Sequence, residues 1–128
     1  MKTTDLMVGD WVLINDALHK IQAIDSIDAE IQADGELYYV GEDRCHSEDK
    51  IEGIPLTPEI LKKNGWKRVD EIFMEKRVDD NTYFSWADRC GAVLYQNGHY
   101  MCDCKYVHEL QHALRLCGLN EIADNFKV

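Results

Sequence analysis

Proline and glycine are scarce in this chain, with 2 and 8 among 128 residues, so collagen-like, polyproline and low-complexity segments are excluded. Long apolar runs are missing too. No window approaches the roughly 18 apolar residues that span a bilayer. The opening stretch Met1 to Asp10 holds Asp5 and Asp10 where a secretory signal would need an apolar run of roughly 7–15 residues. The expectation is a cytoplasmic protein that does not engage membranes. Basic side chains are few, 14 Lys+Arg against 24 Asp+Glu for a formal charge of −10, which argues against direct binding of a phosphate backbone. The five cysteines, Cys45, Cys90, Cys102, Cys104 and Cys117, are odd in number and irregular in spacing. They predict reduced, mostly buried thiols rather than a disulfide framework. No Walker loop, GxGxxG or GxSxG is present, and no cofactor is expected.

What remains is an ordinary globular composition, 45% apolar and 30% charged, long enough for one core or two small subdomains. The charge is unevenly spread. Residues 1–65 hold 6 basic and 14 acidic side chains, and residues 66–128 hold 8 and 10. An acidic N-terminal half suits a solvated surface, a basic protein partner, or a mimic of nucleic acid that occupies a basic protein.

The first fifty residues read as short strands and turns. Trp11-Val12-Leu13-Ile14 is a compact β-rich run stopped by Asn15-Asp16, and His19 to Ile24 follows as a second strand. Ile27 to Ala33 alternates without a fault and predicts a half-buried antiparallel strand. Asp34-Gly35 supplies a tight hairpin turn before Glu36 to Val40. Together with Val8-Gly9-Asp10 ahead of the first strand, this pattern predicts an SH3-like small β-barrel or meander over 1–53. Gly41 to Asp49 reads as a polar loop and Ile51 to Leu56 as an extended connector. A linking helix over 54–66 follows, with Thr57 as N-cap, Pro58 at N1, Glu59 in the first turn and Asn64-Gly65 as its stop.

Residues 67–128 read as an antiparallel sheet with a C-terminal helix over it. Residues 69–77 suit a strand better than a helix, because Thr82 to Trp86 and Ala92 to Tyr95 continue a β pattern with turns at Asp79-Asp80-Asn81 and Asn97-Gly98. The covering helix spans Tyr106 to Cys117. Its apolar face carries Val107, Leu110, Ala113, Leu114 and Cys117, and its opposite face His108, Gln111, His112 and Arg115. Asn120 opens a last short helix. The expected fold class is therefore α+β. Most of the aromatic residues read as core positions on strands, and the alternative is that some line a partner groove, as aromatics do in SH3-like domains.

One motif carries chemistry. His108-Glu109-Leu110-Gln111-His112 satisfies HExxH, in which two histidines one helical turn apart bind zinc and the glutamate activates a metal-bound water. A third ligand is needed. Metzincins place glycine at position 115 and histidine at position 118, where this chain has Arg115 and Gly118. The gluzincin glutamate lies on a following helix, beyond the offset of Glu121. A second metal reading combines Cys102, Cys104, His108 and His112, but three residues between Cys104 and His108 leave little chain to fold both pairs together.

The stretch Lys105-Tyr106-Val107-His108-Glu109-Leu110-Gln111-His112-Ala113-Leu114-Arg115-Leu116-Cys117-Gly118 resembles the C-terminal signature of a family of small Bacteroidetes proteins, often found in prophage or mobile-element neighbourhoods. Leu6 to Val12 and Ile54 to Trp66 also resemble that family's layout. The region around 70–100 is similar only in general character. The family often carries glutamine where Glu109 stands, which implies a fortuitous HExxH, and it brings no established activity, cofactor or catalytic residue. The expected function is thus a non-enzymatic accessory or interaction protein of phage or mobile-element origin, with a protein partner on its acidic N-terminal half. The alternatives are a small zinc-dependent hydrolase using His108, His112 and Glu109, and an acidic nucleic-acid mimic.

Overall fold

A computed structural model describes residues 3–40 and 49–128. Two compact units make up the chain, Met1–Ile54 and Pro55–Val128. Each carries one five-stranded sheet in which every pairing is antiparallel, and three short helices lie in the second unit. The class is α+β. Among the described residues neither sheet closes on itself.

In the first unit β1 (Trp11–Ile14), β2 (Ala17–Asp25), β3 (Glu30–Ala33) and β4 (Glu36–Tyr39) form a meander, and β5 (Ile51–Gly53) pairs with the free side of β1. The turns set this order. Asn15-Asp16 and Asp34-Gly35 both have two consecutive residues at positive φ, 49° and 69° in one and 51° and 78° in the other. That is the turn whose twist matches flanking antiparallel strands. Val12, Ile14, Ile21, Ile31 and Ala33 bury their side chains in one cluster with Leu6, Val40 and Ile51. Asp10 is fully buried, and its carboxylate accepts the Met7 amide at 2.8 Å, closing the turn before β1.

Two expectations fail here. The faultless alternation of Ile27 to Ala33 is strand only from Glu30. The Asp25 carboxylate accepts the amides of Ile27 and Asp28 at 3.0 and 3.1 Å, and Ala29 takes a φ of 53°. A local side-chain bond thus competes with the ladder and wins, as Asp does in turns, and Ile27 is left 93% exposed. Conversely, the connector at Ile51–Gly53 is a strand, registered on β1 as Val12↔Gly53 and Ile14↔Ile51. Three residues carry too little alternation to announce it. The polar loop expected over Gly41 to Asp49 falls, except for Asp49, outside the described residues.

The second unit opens with α1 (Pro58–Lys63). Thr57 caps it, its hydroxyl accepting the Ile60 amide at 3.2 Å, and Pro58 occupies the first turn. The sheet runs β6 (Lys67–Arg68), β7 (Phe73–Asp79), β8 (Thr82–Asp88), β9 (Ala92–Gln96) and β10 (His99–Asp103), in that spatial order. Residues 69–72 are neither strand nor helix. The Asp70 carboxylate accepts the amides of Phe73 and Ile72 at 2.7 and 2.8 Å, which turns the chain between β6 and β7. Those two backbone donors also hold the Asp70 carboxyl below its ordinary range. One face of the sheet buries Met74, Phe84, Trp86 and Leu94. The Trp86 indole N–H donates to the Cys104 carbonyl at 2.8 Å, so the buried ring has its polar edge satisfied. α2 (Val107–Leu116) and α3 (Asn120–Asp124) complete the chain.

Leu94 is fully buried and Leu116 is 82% exposed. Leu94→Ala is expected to cost about 2–5 kcal/mol in chemical denaturation, and Leu116→Ala to stay within about 0.5 kcal/mol.

Candidate functional site

The residues that carry HExxH lie in the first two turns of α2, and their position in the helix decides what they do. A helix leaves its first N–H groups without partners inside the helix. Tyr106, the N-cap residue, makes no side-chain cap hydrogen bond. Glu109 supplies one instead. Its Oε1 accepts the backbone N–H of Tyr106 at 2.9 Å and of Lys105 at 3.1 Å, while the Glu109 N–H donates to the Tyr106 carbonyl. This is the reach-back half of a capping box, and a carboxylate near the positive end of the helix is favourable there. The glutamate that would activate water in a zincin is thus bonded to its own backbone.

The helix buries a wider face than the apolar stripe predicts. Val107, Leu110, Ala113 and Leu114 are buried as expected, but so are His108, 6% exposed, and Gln111, fully buried. The expected polar face holds only for His112 and Arg115, which are half-buried. The correction has a physical cause. The Gln111 amide donates to the Ala123 carbonyl at 3.0 Å, which places α3 beside that face of α2, and Arg115 reaches Asp124 at 3.3 Å. His108 lies between two rings, parallel to Tyr106 at 5.8 Å and edge-on to His112 at 5.6 Å. The chain beyond Gly118 therefore lies against Gln111 and Arg115, which the helical wheel left to solvent.

The two histidines are neighbours. Among the described residues no three His, Cys, Asp or Glu side chains are grouped to hold a metal ion. All four described cysteines are free. Cys104 is fully buried and Cys102 half-buried. Burial pushes the Cys104 thiol far above its ordinary value, with the Cys102 and Glu109 charges adding to the shift. Burial raises Cys102 as well, reinforced by Glu109, Asp103 and Cys117. Cys117, at the end of α2, has its thiol 4.0 Å from the Gln96 amide oxygen of β9 and is raised by burial. These thiols stay protonated at neutral pH, which makes them weak nucleophiles. Cys90 is exposed in the turn between β8 and β9, and Cys45 lies outside the described residues.

No protein-family model matches the chain, and no curated protein or solved structure does either.

Two outcomes test these assignments. Glu109→Ala is expected to lower stability by about 1 kcal/mol, as loss of an N-terminal cap does, measured by urea denaturation. The Cys104 thiol gives a pH dependence of fixed sign. Its folded pKa lies above the unfolded one, so its contribution is complete below the ordinary value of 9.0 and is lost as pH rises above it, because the unfolded chain then releases the proton first. Stability should fall by up to about 1.4 kcal/mol per pH unit in that range. The Cys104→Ala profile should lack that slope, so that subtracting it from the profile of the unaltered chain isolates the slope.

Proposed function

We propose that the chain is a non-enzymatic interaction protein whose N-terminal unit engages a basic protein partner. The observation that carries this reading is the charge of Met1–Ile54, which holds 13 acidic and four basic side chains. Asp16, Asp25, Asp28, Asp34, Glu36 and Glu52 are all exposed. One of the described lysines, Lys50, is already paired with Asp16 and Glu52, at 3.2 and 3.3 Å. Carboxylates gathered on one small unit with so few cations raise the local concentration of positively charged partners and speed their encounter. A partner that itself binds nucleic acid would make the chain an acidic decoy, which is a special case of the same reading.

Several observations support the finer parts of the proposal. The strand order β4-β3-β2-β1-β5, with a long second strand whose register shifts between Ile21 and Ala23, suits an SH3-like reading of the first unit. The approach of Cys117 to Gln96, and the buried apolar faces of both α2 and the second sheet, support α2 as the cover of that sheet. No described helix is long and apolar enough to cross a membrane, in keeping with a cytoplasmic setting. The resemblance of residues 105–118 to a prophage-associated family supports a phage or mobile-element origin. The engagement of Glu109 in capping supports a structural use of the HExxH segment.

Carbodiimide joins carboxylates to lysine amines that touch them, so it reads out this interface directly. Cross-linking in extract of the source cells is expected to join carboxylates within residues 16–52 to a lysine-rich protein, in a salt-sensitive manner. The triple variant Asp28→Asn, Glu36→Gln, Glu52→Gln should reduce the yield several-fold while remaining folded. Links confined to residues 55–128, or a yield that neither salt nor the variant changes, would contradict the proposal.

A further inference from the structure

Opposite its buried face, the second sheet has a face that carries two cavities. Its register places Phe73, Ala87 and Val93 side by side across β7, β8 and β9, with Glu75, Ser85 and Tyr95 in the next row and Arg77 beside Tyr83 in the third. Two cavities of about 300 Å³ each lie on this face. The first is lined by Ile72, Phe73, Ala87, Val93 and the exposed Arg89. The second is lined by Val69, Tyr83, Ser85 and Glu75 and reaches Gly98. Phe73 and Tyr95, packed edge to face at 5.8 Å, border both cavities and form the ridge between them. Val69 and Ile72 are 53% and 37% exposed at the side of this groove.

Arg89 distinguishes this face from an ordinary apolar patch. Three of the four described arginines are engaged: Arg68 with the carbonyls of Asp70 and Glu71, Arg77 with the Asp80 carbonyl and the Tyr83 ring, and Arg115 with Asp124. Arg89 has no hydrogen bond or ion pair among the described residues. An uncommitted guanidinium at the edge of an apolar cavity is complementary to a carboxylate attached to an apolar group.

The spacing points to a chain rather than a small molecule. Ala87 in the first cavity and Ser85 in the second are two residues apart on β8, which is about 6.7 Å in a strand. Alternate side chains of an extended peptide repeat at the same distance. We infer that this groove binds the C-terminus of an extended peptide: the terminal carboxylate meets Arg89, the last side chain fills the first cavity, and the third-from-last fills the second. Ser85 and Glu75 offer acceptors to the peptide's N–H groups. Each cavity alone is at the small end of ligand sites, so affinity depends on both anchors. The site is on a different unit from the acidic surface and stands or falls independently of it.

The test uses the intact chain and a fluorescein-labelled hexapeptide ending in Leu-Ser-Leu with a free carboxylate, followed by fluorescence anisotropy. Saturable binding is expected. Amidating the C-terminus should weaken it about tenfold, and replacing the third-from-last leucine by serine should weaken it by a similar factor. Arg89→Gln, an exposed substitution, should abolish the difference between acid and amide. Amide resonances of Gly91 and Gly98, at the two ends of the groove, should shift on titration. Equal binding of acid and amide to the unaltered chain would overturn the inference, as would shifts confined to other residues or no saturable binding. Competition by 4-methylpentanoate at the same concentration as the peptide would also overturn it, since one anchor would then suffice.

Discussion

The N-terminal turn of α2 is the constraint on which the second unit depends. A ten-residue helix is too short to persist in water by propensity alone, and its first amides have no acceptors within the helix. Glu109 answers the second need by returning to the Tyr106 and Lys105 amides. Burial of Val107, Leu110, Ala113 and Leu114 answers the first. Gln111 then extends the helix's influence, because its buried amide group is satisfied by the Ala123 carbonyl of α3. A segment that matches a catalytic pattern thus also supplies hydrogen bonds that join this part of the fold.

The first unit is held by a different means. Its strands are three to nine residues long, and two tight turns with positive φ fix their register. Register in turn decides which side chains enter the core, since a slip of one residue would expose Ile14 and Ile21. The buried Asp10 carboxylate closes the entry to β1 at the cost of placing a polar group inside, and its bond to the Met7 amide offsets that cost. Asp16, Asp25, Asp28, Asp34, Glu36 and Glu52 stay outside, where they are solvated. The acidity of this unit is therefore a surface property laid over a conventional apolar cluster.

Much of this was legible in the residues. Asn15-Asp16, Asp34-Gly35 and Asn97-Gly98 announced their hairpins because few residues tolerate those angles. Thr57-Pro58 announced α1 because capping is local chemistry. The fold class followed from these signals together. What stayed hidden depended on tertiary context. Alternation over Ile27 to Ala33 could not reveal that Asp25 would bond the amides of Ile27 and Asp28 and convert half the run into a turn. A helical wheel could not reveal that α3 would cover Gln111 or that His108 would be buried. The HExxH pattern named the right residue types, but Glu109 in the first turn of α2 was the signal for a cap, visible as a glutamate three residues after the expected helix start. Phe73, Tyr83 and Tyr95 alternate as core residues do, and only register shows which face they take.

The most direct test of the structural role of Glu109 is amide hydrogen exchange at Lys105 and Tyr106. Both N–H groups donate to the Glu109 carboxylate, so both should exchange slowly in the native chain. In Glu109→Ala they should lose that protection, while the amides in the middle of α2, such as that of Leu114, keep theirs. Rapid exchange at Lys105 and Tyr106 in the unaltered chain, or protection that survives Glu109→Ala, would contradict the account.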